Sequence, residues 1–176
     1  MENAFGQPQS VVVLGGTSDI AEALVDELVQ ARARTVVVAG RNPDALTAAA
    51  ERAAHAGATS TATVLFDAAD PSNAEATIRA CWDAVDGPVD LVVVAVGYLG
   101  DQLVDENDPV AAAHVATVNY TWPVAALAAL KTRMQQQGTG RILVITSVAG
   151  IRVRRGSYLY GSAKAGLDRQ IGRAHV

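Results

Sequence analysis

Short apolar runs rich in β-branched residues alternate along the chain with longer alanine-rich stretches. The apolar runs predict five strands, at residues 10–14, 35–39, 61–66, 89–96 and 141–146. Nearly every residue in these runs is apolar, which is typical of parallel strands covered on both faces. The stretches between them predict helices at residues 18–31, 43–56, 71–85 and 109–137, with a last helix from about Ser157.

This alternation predicts an α/β fold with a Rossmann-type doubly wound parallel sheet in three α/β/α layers. We find no internal repeat and no linker, so residues 1–169 are predicted to form one nucleotide-binding domain. Sheets of this type normally contain more strands. We therefore expect the fold to be incomplete at its C-terminal end, with one exposed sheet edge and poor folding or activity of the chain as given.

The last seven residues, QIGRAHV at positions 170–176, show no helical periodicity. The codons CAG ATC GGA AGA GCA CAC GTC TGA encode this heptapeptide and a stop, and that string is a common sequencing-library adapter. We interpret residues 170–176 as a non-native tail translated from adapter. The alternative is an ordinary variable C-terminus.

The formal net charge of −4 and the pI of about 5.3 argue against a nucleic-acid-binding protein or a strong binder of anionic membranes. A single cysteine, Cys81, cannot form an internal disulfide, which fits a reducing compartment. No signal peptide is visible, and the longest apolar run is far too short to span a bilayer. We expect a cytoplasmic protein, with at most a weak peripheral association with the inner membrane face.

A glycine turn links the first predicted strand directly to the next predicted helix. Such a turn lets backbone N–H groups approach a pyrophosphate, and the helix N-terminus adds about half a positive charge. The turn therefore predicts a dinucleotide site, although a turn without a ligand is the alternative for this motif alone. The residues predicted to contact the cofactor are Gly15, Thr17, Ser18 and Ile20.

Gly40 and Arg41 end the second predicted strand, where an NAD-binding fold usually carries an acidic residue. A guanidinium can bind the 2′-phosphate of NADP in a bidentate manner, whereas a carboxylate would repel it. We therefore predict NADP(H) as the cofactor. The alternative is that Arg41 is a solvated surface residue.

Tyr160 and Lys164 stand four residues apart, so they share one face of a helix. A phenol is a poor acid–base catalyst near neutral pH unless a neighbouring ammonium stabilises the phenolate. Ser147 follows the fifth predicted strand, at the edge of the sheet where ligands bind in such folds. These three residues predict a catalytic site, and a surface Tyr and Lys on an exposed helix is the alternative.

Asn119 lies inside the long helix predicted for residues 109–137. Pro123 has no backbone N–H, so it cannot bond the carbonyl of Asn119 four residues earlier. That carbonyl is then free to hold a water molecule. A helix kink alone is the alternative, and we predict no metal site anywhere in the chain.

Residues 10–169 resemble the short-chain dehydrogenase/reductase (SDR) superfamily. The resemblance rests on Ser147 thirteen residues before Tyr160, on Lys164, and on a glycine loop that departs from the family pattern at Leu14, Asp19 and Ala21. It implies that Tyr160 protonates the substrate oxygen, that Ser147 hydrogen-bonds the same atom, and that Lys164 holds the nicotinamide ribose. It also implies that a water on Asn119 links the lysine to solvent.

The resemblance assigns three more cofactor contacts. It implies that Asp67 holds the adenine edge, although capping of the next helix is an alternative for this residue. Ala95 and Gly97 would leave room for the cofactor beyond the fourth strand. The segment Val94–Gly97 lacks the asparagines that the family usually carries there, which puts the usual strand-bracing hydrogen bonds in doubt.

Four segments resemble, more narrowly, the decaprenylphosphoryl-2-keto-ribose reductases of actinobacterial arabinan synthesis. They are residues 15–20, 97–101, 118–121 and 152–168. The resemblance implies reduction of the 2-keto group of a polyprenyl-phosphate pentose by NADPH. Arg152, Arg154 and Arg155 would meet the substrate phosphate, or would form a solvated loop.

Two other functions fit the same motifs. One is an SDR oxidoreductase that acts on another carbonyl or alcohol, and the other is a non-catalytic nucleotide-binding subunit. The expected partner is a small-molecule or lipid-linked sugar substrate, and no nucleic acid. SDR enzymes commonly form oligomers through two helices, which correspond here to the helix of Asn119 and the helix of Tyr160 and Lys164. The resemblance therefore also implies a homo-oligomer in the full-length form.

Overall fold

A computed structural model describes residues 5–171 of the 176-residue chain. Its five strands are all parallel and lie in the order β3-β2-β1-β4-β5. They are β1 (Ser10–Leu14), β2 (Thr35–Gly40), β3 (Ser60–Leu65), β4 (Leu91–Val94) and β5 (Arg141–Val144). The predicted α/β fold with a doubly wound parallel sheet is confirmed.

Eight helices connect and flank these strands in the described part of the chain. They are α1 (Asp19–Gln30), α2 (Pro43–Ala56), α3 (Ala74–Asp83), α4 (Gln102–Asp105), α5 (Pro109–Ala116), α6 (Trp122–Gln137), α7 (Val148–Ile151) and α8 (Tyr158–Ile171). Short 3₁₀ turns precede α3 at Pro71–Asn73 and α8 at Arg155–Ser157. In residues 5–171, we find no helix that is both long and apolar enough to cross a membrane.

The central strand β1 is buried along its whole length, and its side chains alternate between the two faces of the sheet. Val12 and Leu14 pack with residues of α3 and α6, whereas Val11 and Val13 pack with residues of α1 and α2. Each fully buried side chain of this size stabilises the fold by about 1.5–3 kcal/mol. The core therefore consists of two apolar layers, one on each side of the sheet.

The outer strands differ from the prediction that every strand is covered on both faces. In β5, Ile142 and Leu143 are 36% and 40% exposed, and in β3 Leu65 is 64% exposed. Within the described residues β5 pairs with β4 only, so its other edge forms no hydrogen bonds to a neighbouring strand. The apolar composition of residues 141–146 correctly indicates a strand of the sheet. It does not indicate how much of the strand surface is buried under helices.

The fourth strand is shorter than the predicted residues 89–96, because its flanking residues find other hydrogen-bond partners. The Gln137 side-chain amide both donates to and accepts from the backbone of Val89. The buried Asp90 carboxylate accepts from the backbone N–H groups of Gln9 and Ser10. The Asp90 contacts join the N-terminal ends of β1 and β4, and the Gln137 contacts join the end of α6 to the start of β4.

The single helix predicted for residues 109–137 is interrupted by a π-helical turn at Thr117–Thr121. There the N–H of Trp122 donates to the carbonyl of Thr117, five residues earlier. Pro123, which lacks an N–H, follows directly. The prediction of one regular helix was therefore wrong at the turn that contains Asn119.

The two four-residue helices α4 and α7 were absent from the sequence prediction, because one helical turn is too short to show apolar periodicity. Both begin at a capping residue. The Asp101 carboxylate accepts from the N–H groups of Leu103 and Val104, and the Ser147 hydroxyl accepts from the N–H of Ala149. Side-chain caps of this kind stabilise a helix start by about 1 kcal/mol.

The last helix begins at Tyr158, one residue after the predicted start near Ser157, and continues through Gln170 to Ile171. Those two residues are helical, although the sequence shows no periodicity there. Positions 172–176 of the predicted non-native tail lie outside the described residues. The interpretation of residues 170–176 as a tail stays a prediction.

Two glycines let α7 pack closely against α8. A Cβ atom on Gly150 would lie 2.9 Å from the backbone nitrogen of Ala165, and one on Gly161 would lie 2.9 Å from the Ala149 carbonyl oxygen. The space beside Gly161 is therefore filled by backbone and is not open to a ligand. Both glycines instead bring the end of β5 close to the middle of α8.

Gly150→Ala should therefore destabilise the protein by about 1–3 kcal/mol, because a backbone clash requires α7 and α8 to separate. Gly156→Ala is the matched control, since a Cβ there meets nothing within 4 Å. Urea unfolding of the two variants and the parent chain measures the difference. Equal stability of both variants would contradict the proposed close packing.

Candidate active site

The candidate site lies where β1 and β4 end side by side while their connections leave in opposite directions across the sheet. Ligands bind at such switch points in open α/β sheets. Gly15 has a φ of +82°, and a Cβ atom there would lie 2.7 Å from the Ala95 carbonyl oxygen. Only glycine therefore allows the loop after β1 to turn so close to the end of β4.

The N–H groups of the glycine turn bind to the protein itself. Gly15 and Gly16 both donate to the carbonyl oxygen of Ala39, at 2.8 and 3.1 Å. By contrast, within residues 5–171 the N–H groups of Asp19 and Ile20 have no backbone or side-chain acceptor. The donors left for an anion are therefore those at the N-terminus of α1, and not those of the glycines.

Ser18 caps α1 by accepting from the N–H of Ala21 at 3.3 Å. Asp19 is the first helical residue, and its side chain is exposed. The Asp19 carboxylate is therefore in contact with solvent and is not buried in the turn. The departure from the family glycine pattern at position 19 therefore leaves the helix N-terminus open.

A groove of about 640 Å³, including its open mouth, runs from α1 towards β2 and β3. It is lined by Gly15, Thr17, Ser18, Gly40, Arg41, Phe66, Asp67, Ala68, Ala95, Val96, Gly97, Tyr98 and Val118. Seven of the ten predicted cofactor contacts line this groove, and the other three, Ile20, Tyr160 and Lys164, line the adjoining groove described below. The lining suits an elongated ligand with an anionic centre, as a dinucleotide is.

At the far end of this groove, Arg41 is exposed beside Gly40 and Thr17. Asp67 accepts a hydrogen bond from the N–H of Ala69 at 2.9 Å. The following 3₁₀ turn is capped by Asp70, which accepts from the N–H of Ser72. The alternative that Asp67 caps the next helix is therefore wrong.

A second groove, of about 980 Å³ with its open mouth, brings the predicted catalytic residues together. Its lining includes Ser147, Tyr160 and Lys164, as well as Ile20 and Thr146. Both grooves share Ser18 and residues 95–98. The two grooves therefore form one continuous cleft along the carboxyl edge of the sheet.

Lys164 projects from α8 into the protein and is only 2% exposed. Its ammonium donates to the Val96 carbonyl at 2.9 Å and to the Ile145 carbonyl at 3.5 Å. It also lies 5.8 Å from the centre of the Tyr160 ring. Burial lowers the pKa of Lys164 to about 8.

The Ser147 hydroxyl is partly exposed in the second groove. Because its oxygen accepts from the N–H of Ala149 at 3.2 Å, its own O–H is left to donate towards the groove. The cap also limits the orientations of the side chain. Ser147 therefore keeps a hydrogen-bond donor in a groove that Tyr160 also lines.

Asn119 is fully buried and holds the loop after β4 through its side chain. Its amide oxygen accepts from the N–H of Tyr98 at 3.0 Å, and its amide nitrogen donates to the Tyr98 carbonyl at 2.6 Å. A Cβ atom on Gly97 would lie 3.4 Å from the Lys164 Nζ and 3.5 Å from the Asn119 Oδ1. These contacts brace the strand end despite the missing asparagines at Val94–Gly97.

The sequence predicts a role for the backbone carbonyl of Asn119, but not this use of its side chain. A water on that carbonyl stays a prediction. Tyr98 was also missed as a site residue, although its position directly after Gly97 was a signal. Its ring lines both grooves and lies edge-on to His114, with the ring centres 5.2 Å apart.

Three arginines stand apart from these residues. Arg152, Arg154 and Arg155 are exposed between α7 and α8, and none of them lines either groove. Their predicted contact with a substrate phosphate stays a prediction. Among residues 5–171 there is also no cluster of His, Cys, Asp and Glu arranged to hold a metal ion.

The low pKa of Lys164 predicts a pH-dependent stability. Below pH 8 the lysine is protonated in both states, and the folded chain bears the cost of burying the charge. Between about pH 8 and pH 10.5 the folded state releases the proton while the unfolded chain keeps it, so stability should rise by up to about 1.4 kcal/mol per pH unit.

Urea unfolding at pH 7.5, 8.5 and 9.5 measures this effect against Lys164→Met, which lacks the titrating group. The difference in unfolding free energy between the parent chain and the variant should increase with pH. A difference that stays constant across this range would show that Lys164 titrates near its ordinary pKa.

Comparison with known proteins agrees with this geometry. The sequence matches the short chain dehydrogenase family over residues 9–172. An uncharacterized oxidoreductase of Streptomyces coelicolor is 43% identical over 167 residues, which are 95% of this chain and 65% of the relative. An uncharacterized oxidoreductase of Mycobacterium tuberculosis H37Rv is 42% identical over 158 residues, which are 90% of this chain and 62% of the relative. The chain thus spans less than two-thirds of the length of these relatives.

Solved structures show the same fold. A 3-oxoacyl (acyl-carrier-protein) reductase of Agrobacterium tumefaciens C58 with NADP bound has a TM-score of 0.83 and 22% identity, over 95% of this chain and 64% of that one. An NAD⁺-bound xylitol dehydrogenase has a TM-score of 0.80 and 23% identity, over 92% and 62%. The fold is thus shared by proteins with either nicotinamide cofactor. Since the family matches nearly the whole sequence and two relatives exceed 40% identity, this chain belongs to the short-chain dehydrogenase family.

Proposed function

We propose that the protein is an NADPH-dependent reductase that transfers hydride to a ketone. The observation that carries this proposal is the common groove of Ser147, Tyr160 and Lys164, continuous with the groove at the N-terminus of α1. A protein that only binds a nucleotide has no need of an O–H donor, a phenol and a buried ammonium at one end of its cleft. Their arrangement supports chemistry at a carbonyl oxygen.

Bound in this cleft, the nicotinamide cofactor would supply the hydride for the carbonyl carbon. Tyr160 would give its phenolic proton to the developing alkoxide, and Ser147 would donate a hydrogen bond to the same oxygen. The Lys164 ammonium, 5.8 Å from the Tyr160 ring centre, would stabilise negative charge on the phenol oxygen. Lys164 would also hold the nicotinamide ribose near Gly97.

The proposed substrate is the 2-keto group of a polyprenyl-phosphate pentose, as the narrower resemblance implies. Arg152, Arg154 and Arg155 support this proposal, because they stand exposed on the segment between Ser147 and Tyr160. Guanidinium groups bind phosphate well, and a lipid-linked substrate fits a cytoplasmic enzyme that associates weakly with the inner membrane face. We further propose that the full-length protein is a homo-oligomer.

NADP preference is proposed from Arg41, an exposed residue in the lining of the first groove. Arg41→Ala should weaken NADPH binding about tenfold or more and leave NADH binding within about twofold, because only NADPH carries the 2′-phosphate. Fluorescence titration with each nucleotide measures both affinities. Arg79→Ala, an exposed arginine of α3 outside the grooves, is the control. Equal losses for both nucleotides would refute the preference.

Tyr160→Phe should abolish ketone reduction, by about 10³-fold or more, while NADPH affinity stays within about twofold. The assay follows NADPH oxidation with a polyprenyl-phosphate 2-keto-pentose and with a small cyclic ketone. It uses this chain and a chimera in which the S. coelicolor relative supplies the residues after position 171. Tyr158→Phe is the matched control, because it removes a hydroxyl two residues away.

The outcomes separate the functions that fit the motifs. Turnover of the small ketone alone would favour an SDR reductase with another substrate. Tight NADPH binding without turnover of either ketone, in a folded chimera, would favour a non-catalytic nucleotide-binding subunit. Full activity of Tyr160→Phe would remove this residue from the mechanism.

A further inference from the structure

The first turn of α8, which carries Tyr160, donates a hydrogen bond to the first residue of the distant helix α4. The N–H of Leu159 donates to the Gln102 side-chain oxygen at 3.1 Å. N–H groups in the first turn of a helix have no partner within the helix, so they need an acceptor from elsewhere. Gln102 provides that acceptor one residue before the phenol.

The segment that leads into this turn is open to solvent. Residues 152–156, which lead into α8, are all exposed. The firm packing of the helix begins later, where Gly161 meets the Ala149 backbone and where Lys164 and Leu167 are buried. Tyr160 therefore lies between a well-packed helix body and an exposed approach, and the Gln102 contact falls at that boundary.

The orientation of the Gln102 amide is fixed from its other side. Its amide nitrogen donates to the Glu106 carboxylate at 3.0 Å, so its oxygen must face Leu159. A carboxylate at position 102 could still accept from Leu159, but it would face the Glu106 carboxylate without a proton between them. The amide is thus the group that satisfies both neighbours.

The loop that carries Gln102 is itself anchored at both ends. Asn119 holds Tyr98 at its start, beside the Lys164 ammonium. At its other end the buried Asp105 carboxylate accepts from the N–H of Asp101 at 2.9 Å. A movement of Tyr160 relative to Lys164 would therefore have to break or deform this path.

We propose that Gln102 is a positioning residue that sets the place of the Tyr160 phenol relative to Lys164 and the substrate. The inference rests on the proposed function, since it concerns the reductase reaction. Gln102 touches neither the reacting atoms nor the grooves in the described residues, so its effect passes through Leu159 and the first turn of α8.

Gln102→Met tests the inference, because methionine has a similar length and no strong acceptor. Backbone amide exchange at Leu159 should become about tenfold faster, as expected for a lost helix cap. The kcat for ketone reduction in the chimera should fall about tenfold, since small misplacements of a catalytic group are costly. The KM and Kd for NADPH should stay within about twofold. Asn107→Ala removes another side chain from the same loop, without contact to α8, and is the control.

A second, conservative test moves the carboxylate from position 106 to position 102. Gln102→Glu should be impaired at pH 8 and should recover partly at lower pH, where one carboxyl of the pair takes up a proton. Gln102→Glu combined with Glu106→Gln should restore both the Leu159 exchange rate and kcat, because the donor and acceptor are swapped. A purely structural role for Gln102 would not produce this rescue.

The outcomes keep the two proposals apart. Unchanged Leu159 exchange in Gln102→Met would overturn the inference, whether or not the parent protein turns over. Faster exchange with unchanged kcat in an active parent would also overturn it. Absence of turnover in a folded, NADPH-binding parent would overturn the proposed function instead, while the exchange data would still report on the Gln102 contact.

Discussion

The buried ammonium of Lys164 is the constraint on which the site depends. A charged group only 2% exposed must find acceptors inside the protein, and it finds them in the carbonyls that follow β4 and β5. Those two hydrogen bonds tie α8 to two strand ends at once. Tyr160 lies one helical turn before Lys164, so these contacts hold the part of α8 that directly follows the phenol.

The hydrogen-bond acceptors of this ammonium in the described residues carry no negative charge. Its acceptors are backbone carbonyls, so partial dipoles take the place of a carboxylate, and burial lowers the pKa to about 8. A lysine poised in this way can change its protonation state near physiological pH.

Much of this arrangement could be predicted from the sequence, because it follows from spacing and from strand ends. The apolar runs located the strands, and the Tyr160–Lys164 spacing required a shared helix face. Contacts between distant segments could not be predicted in this way. No periodicity reveals that Asn119 clasps Tyr98, that Gln102 caps α8, or that Gly161 packs on backbone. The cover of β5 was misjudged because an apolar run does not say whether a strand lies at an edge.

The π-helical turn at Thr117–Thr121 lets the continuous helical segment of α5 and α6 pack against two different neighbours, α8 and the sheet. An extra residue in a turn advances the helix by about 100° relative to a regular α-helix. Before the turn, α5 can therefore present its side chains to α8, and after it α6 can present Trp122, Ala126 and Leu130 to the sheet. Asn119 lies in this turn, where the face of the helix that packs inward changes. Its polar side chain can therefore be buried there without interrupting the apolar face of α5 or of α6.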